Sequence, residues 1–297
     1  MSEDSMLPRR AAGRRKPPES SVPSPQSPVG TRYRAVVSYV GTHFHGWQFQ
    51  RNAPRTVQAV LEEALARFAG ETARVVAAGR TDSGVHAEGQ VVHFDLARER
   101  NPENIRDGVN TLLPWDVRLL EVAPARPEFH ARRDAAWKEY LYRWSRAAAI
   151  PPRDAAFVAP ISRRADPGKM RAAAGMLPGE RDFGVFGVKL RAGESSSRRL
   201  HFARIEESGD EIRALFRGDA FLRGMIRSIC GVLGDVARGK SPPKRIRELL
   251  ETGNRDLLSP KAPALGLTLV RVFYADAESG ERVNERTGDR ARIRPAR

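Results

Sequence analysis

Among 297 residues the chain has a single cysteine, Cys230. One thiol excludes an intrachain disulfide and a cysteine-built metal centre. The chain also has no apolar run near the roughly 20 residues that a membrane-spanning helix needs. Its beginning carries Glu3 and Asp4 and no apolar segment, so no signal peptide is expected. A phosphate-cradling P-loop and a dinucleotide-binding fingerprint are likewise not expected. His43 and His45 have the alternate spacing of a metal pair, but no carboxylate or cysteine cluster accompanies them, so no metal is expected. Ser83 and His86 lack the nucleophile-elbow pattern of a hydrolase. Together these absences leave a cytoplasmic protein without membrane, metal or cofactor chemistry as the expectation.

Positive charge is what the sequence has in excess. Fifty-one Lys and Arg stand against 36 Asp and Glu, a formal +15. Residues 1–30 hold five basic and three acidic groups, and residues 276–297 hold six and five, so the body between keeps +12. A basic folded body fits a polyanionic partner, because neutralising phosphates releases their condensed counterions. It fits plain solubility as well. Charge alone does not decide.

Six prolines lie among Ser, Gly and Arg in residues 1–30, with few large apolar side chains. Such a stretch cannot offset its own ordering entropy and reads as a disordered basic arm. Residues 276–297 read as a polar tail. Between them the apolar pattern switches period repeatedly. Residues 32–40 alternate as a strand. Thr56 is placed to cap a helix that carries Val57, Val60, Leu61, Ala64, Leu65 and Phe68 on one face and stops at Gly70. Strands are expected at 73–78 and 90–96, a helix at 102–113 and a strand at 117–122. The second half repeats the order: a strand at 137–145, a helix at 167–177, strands at 200–207 and 211–217, helices at 219–238 and 243–252, and a strand at 267–274. The order β-α-β-β-α-β occurs twice, which is the ferredoxin-like unit of RNA-recognition modules. The expected architecture is α+β. Two such halves, 31–128 and 129–275, pair edge to edge through a mainly antiparallel sheet. The active-site cleft lies between the halves, with helices on one side of the sheet and the basic cleft on the other.

The loop Gly79-Arg80-Thr81-Asp82-Ser83-Gly84-Val85-His86-Ala87-Glu88-Gly89 is the most unusual segment. It places an acid and a guanidinium two residues apart between apolar strands, with glycines that permit tight backbone paths. Asp82-Ser83-Gly84 is also an ordinary turn sequence, and composition alone favours the plain turn. A carboxylate oriented at a cleft by a nearby guanidinium is equipped to act as nucleophile or base. On the helix expected at 219–238, Arg223 and Arg227 sit four apart at the border of an apolar stripe. From there they reach either a cleft or bulk solvent.

The stretch from Gly79 through Asp95 resembles the signature of the tRNA pseudouridine synthase A family. Further motifs follow in the family's order: Gly46-Trp47-Gln48-Phe49-Gln50, Thr56-Val57-Gln58, Asn110-Thr111-Leu112-Leu113-Pro114, Phe129-His130-Ala131-Arg132, Lys138-Glu139-Tyr140-Leu141-Tyr142, Phe221 to Arg227, and Ala262 to Leu267. The resemblance covers about residues 31–275. It implies that Asp82 is the catalytic nucleophile and that Arg80 helps to displace and hold the target nucleotide. It further implies that Tyr140 contacts the target base, Arg227 pairs with the catalytic carboxylate and Leu267 packs against the uracil. The same resemblance implies a homodimer and a target in the anticodon stem-loop of tRNA, at positions 38–40, recognised by shape and phosphates. His93 and Phe94 read as structural, and the four tryptophans as packing residues. Two departures stand out: Gly224 stands where relatives often carry His or another basic side chain, and 187–198 does not align. A pseudouridine synthase for another RNA and a non-catalytic RNA-binding protein on this scaffold share most of these features. A metal-dependent nuclease would need a second clustered carboxylate beside Asp82.

Overall fold

The computed structural model describes residues 30–53, 55–188, 193 and 195–275. The expected arm, apart from Gly30, and the expected tail lie outside the described residues.

In the first half the local signals produce what they specify. Residues Thr31–Tyr39 form β1, with alternate side chains buried from Tyr33 to Tyr39. Helix α1, Val57–Ala69, starts where the Thr56 hydroxyl accepts from the Ala59 N–H and stops at Gly70, whose φ is 75°. A two-residue β2 (Val76–Ala77) leads to β3 (His86–Leu96). Helix α2 (Pro102–Leu112) begins with a proline under an Asn101 cap and is followed by β4 (Val117–Pro124). The second half runs β5 (Ala135–Ser145), α3 (Pro152–Ala155), β6 (Ala159–Pro160), α4 (Pro167–Ala174) and β7 (Gly179–Asp182). It continues with β8 (Ser197–Ser208), β9 (Glu211–Gly218), α5 (Met225–Ala237), α6 (Arg245–Thr252) and β10 (Leu267–Tyr274).

Among the described residues all ten strands join one sheet in the order β4-β1-β3-β10-β5-β9-β8-β7, with β2 on β3 and β6 on β5. The protein is therefore α+β with a large, mostly antiparallel sheet. Among the pairings, β3–β10 and β5–β6 are parallel. The β3–β10 seam joins the first half to the second and pairs His86 with Thr268 and Ala87 with Leu269. Here a glycine is required. A Cβ at Gly89 would stand 2.5 Å from the Val270 carbonyl oxygen, so any side chain at 89 would push the strands apart.

Register shows which face holds the core. Tyr39, Ala87, Leu269, Tyr140 and Phe216 form one row across five strands, and all are buried in the core shared with α1 and α5. On the opposite face run the half-exposed ion pairs Arg32–Asp95, Arg143–Glu211 and Arg217–Glu139. The expectation of helices on one side and a cleft on the other is corrected by this arrangement. Gln90, in register with buried Val37, holds the 79–89 loop by its first residue, so the loop crosses the helix-bearing side.

Several boundaries also differ. The strand expected at 73–78 shortens to two residues. That expected at 90–96 begins earlier, at His86, and carries a register shift between Ala87 and Gln90, opposite Tyr39 and Val37. The helix expected at 219–238 begins at 225, because Gly224 adopts φ 74° and the left-handed region cannot continue a helix. Arg223 is therefore not on α5. The expectation of no P-loop needs one qualification. Gly234, Gly239, Lys240 and Ser241 have P-loop spacing, but 234–237 form the end of α5. A helix C-terminus presents carbonyls, which repel phosphate.

Candidate active site

The 79–89 loop is fixed at Gly79, Thr81, Ser83, Gly84 and His86 by buried partners. Gln90, fully buried, clamps its first residue twice: the Gly79 N–H donates to Gln90 Oε1 at 3.3 Å, and Gln90 Nε2 donates to the Gly79 carbonyl at 2.7 Å. The Thr81 and Tyr39 hydroxyls are hydrogen-bonded at 2.8 Å, and burial pushes the Tyr39 phenol up to about 12. The Trp47 N–H donates to the Thr81 carbonyl at 3.1 Å. Gly46 (φ 86°) makes that approach possible, since a Cβ there would stand 2.8 Å from the same oxygen. Ser83 Oγ and the Gly84 N–H both donate to the Phe44 carbonyl. The loop ends where His86 Nδ1 accepts from the Gly41 N–H at 3.1 Å.

Asp82 emerges from this frame with its side chain 25% exposed. Arg227 Nη1 donates to Asp82 Oδ2 at 3.4 Å, and Arg223 Nε lies 3.7 Å from Oδ1. Both cations come from the second half. Arg227, in the first turn of α5, is itself held by donation from its Nε to the Ala262 carbonyl at 2.9 Å. The Ala262 N–H returns a bond to the Arg227 carbonyl. Gly231, one turn further along α5, lets the 260–262 segment pack this closely, for a Cβ there would stand 2.1 Å from the Pro260 oxygen.

Tyr140 lies beneath the loop, 8% exposed, edge-on to Phe221 at 5.1 Å between ring centres. A Cβ at Gly79 would stand 3.7 Å from its hydroxyl. Burial raises the Tyr140 phenol above its usual range, and the nearby Tyr39 and Asp82 add to the effect. Leu267 is buried on β10, in register with Tyr142 and two residues from Leu269, the partner of Tyr140. Arg80 is exposed beside Gly79. Asp82, Arg227 and Tyr140 thus meet at one place, with Arg80 at its rim and Leu267 on the same sheet face.

Other residues stand apart from this centre. His93 is buried, accepts from the Ala131 N–H at 3.1 Å, and is lowered to about 4 by burial and then by Arg32. It serves packing, as the sequence reading expects. Trp47 and Trp144 are buried, whereas Trp115 is 70% exposed and is not a packing residue. At Gly224 a Cβ would stand 3.1 Å from Lys261 Nζ. A basic group from another segment therefore fills the place that a side chain at 224 would take. Sequence reasoning missed Tyr39, Gln90 and Lys138. Each lies on a strand, where the pattern of apolar neighbours signals only burial.

A family model described as tRNA pseudouridine synthase matches residues 35–133 and 173–275. The chain belongs to the tRNA pseudouridine synthase family. Among curated relatives of this family, tRNA pseudouridine synthase A of Listeria monocytogenes serovar 1/2a is 39% identical over 247 residues, which is 82% of this chain and 99% of that protein. The Methylobacterium nodulans protein of the same name is 40% identical over 83% of this chain and 97% of its own length. For the Alcanivorax borkumensis protein the figures are 39%, 83% and 92%. The family model passes through Asp82 and Arg80 in its first segment and Arg227 and Leu267 in its second, while Tyr140 falls between the two.

Proposed function

We propose that the protein is a tRNA pseudouridine synthase that isomerises uridine at positions 38–40 of the anticodon stem-loop, with Asp82 as nucleophile. One observation carries the reading: a member of this family holds a partly exposed carboxylate on a loop anchored by buried groups, facing two arginines of the other half. Strand order supports the two-half scaffold. The first half runs β4-β1-β3-β2 and the second β10-β5-β9-β8, the same order of equivalent strands, as expected of two ferredoxin-like units at 31–128 and 129–275.

The reaction breaks the N1–C1′ bond and forms C5–C1′; C5 loses a proton and N1 gains one. It is redox-neutral and transfers no group to or from a second substrate. A uridine stacked in an RNA helix is out of reach, so it must be extruded at a cost of a few kcal/mol. In this reading Arg80, exposed at the rim, holds the displaced nucleotide, while Tyr140 and Leu267 bound the uracil. Asp82 attacks one of the two electrophilic carbons presented to it, C1′ or C6. Arg227 orients the carboxylate and balances its charge while water is excluded. The reading includes a cytoplasmic homodimer.

The test is Asp82→Asn, which keeps shape and removes charge. The variant is expected to bind tRNA as the wild type does and to form no pseudouridine, a fall of at least about 10⁴-fold. Product formation within tenfold of wild type would sink the mechanism.

A further inference from the structure

Beside the residues assigned above stands a cation that they do not explain. Lys138 is on β5, two residues before Tyr140, and points to the same covered face. It is 7% exposed, and among the described residues its ammonium has no hydrogen-bond or ion-pair partner. An ammonium on a stem this largely buried, with no protein partner, is left to whatever ligand or water reaches it. A Cβ at Gly79 would stand 3.6 Å from Lys138 Cε and 3.7 Å from Tyr140 Oη. The two side chains therefore flank the first residue of the loop that carries Asp82.

We propose that Lys138 binds a phosphate oxygen of the RNA backbone at the extruded uridine, holding the nucleotide while Tyr140 meets its base. Resting on the reading of the site given above, the assignment adds a recognition group to it. Two observations favour an anion over a uracil carbonyl. The charged groups around Lys138 are Arg132, which repels it, and Asp219, which attracts it; Asp219 is already engaged by His201 at 2.5 Å. Exposed Arg132, near enough to act on the Lys138 charge, adds a second positive charge to the neighbourhood. Burial and then Arg132 lower the free ammonium to about 8. The negative charge of a bound phosphodiester acts in the opposite direction and favours the protonated ammonium.

The experiment is single-turnover pseudouridine formation in an anticodon stem-loop RNA carrying one uncharged methylphosphonate, placed in turn on either side of the target uridine. At one position wild-type kcat/KM is expected to fall roughly 10- to 100-fold, the scale of one charge-assisted hydrogen bond. Lys138→Met is expected to show the same fall on unmodified RNA and no further fall on that methylphosphonate RNA. Lys138→Arg should recover part of the rate. Additive losses in Lys138→Met overturn the proposal. So does a wild type indifferent to both neutralised phosphates, a result that needs no variant to fold. A wild type that forms no pseudouridine in unmodified RNA overturns the functional reading instead.

Discussion

The loop carrying Asp82 and the segment leading into α5 hold the same carboxylate from opposite sides, but on different terms. On the loop side the anchors are buried backbone and side-chain groups: Gln90 on Gly79, Tyr39 on Thr81, Phe44 on Ser83 and Gly84. On the α5 side the grip is graded. Arg227 is 21% exposed and tied to Ala262, whereas Arg223 is 80% exposed and precedes the helix. If Asp82 is the nucleophile proposed above, such fixed partners preorganise it without reorganisation during the reaction. An exposed arginine keeps its side-chain entropy and stays free to move with a ligand. The first half sets where the carboxylate is; the second adjusts its surroundings.

Three substitutions probe that contrast. The largest effect is expected from Arg227→Ala, which removes the fixed cation and leaves Asp82 with Arg223 alone. Steady-state kinetics should show kcat lower by at least roughly 100-fold, the scale for unpairing a partly buried charge. A loss under threefold would mean that Arg223 suffices. Next is Gln90→Leu, which unclamps Gly79 and lets the loop drift. Here kcat should fall by about tenfold with KM little changed, since misplacing a reacting group slows chemistry more than binding. Unaltered kcat together with a lowered melting temperature would show that the clamp serves stability and not position. The smallest effect belongs to Arg223→Ala, because an exposed ion pair contributes about 1 kcal/mol or less. Turnover should stay within about fivefold of wild type. Were Arg223→Ala to cost more than Arg227→Ala, the contrast would be inverted.

The first half was legible to different depths. Alternation in 31–39 and the Thr56 and Gly70 caps of α1 depend on neighbouring residues, and the structure follows them closely. Residues 73–78 read as a strand, yet β2 has two residues, because pairing with β3 and not propensity sets its length. Gly224 was visible as a departure from related sequences. What hid was its φ, which moves the start of α5 and takes Arg223 off the helix. Asp82 was legible through motif resemblance, since an Asp-Ser-Gly turn has no chemistry of its own. Gln90, Tyr39 and Lys138 could not be distinguished from core positions until neighbouring strands gave them something to hold.

The sequence by itself determined the α+β order of elements, the basic charge of the folded body and the loop that carries the acid. These follow from side-chain period, capping and ionisation, each set within a few residues. Only the tertiary structure decided that Asp82 meets Arg227, 145 residues later in the chain, and that the meeting lies on the helix-bearing side. Strand register is the physical reason. The parallel seam at His86 and Thr268 aligns the two halves, and a slip of one residue along it would turn Leu269 and its neighbours on β10 to the wrong face.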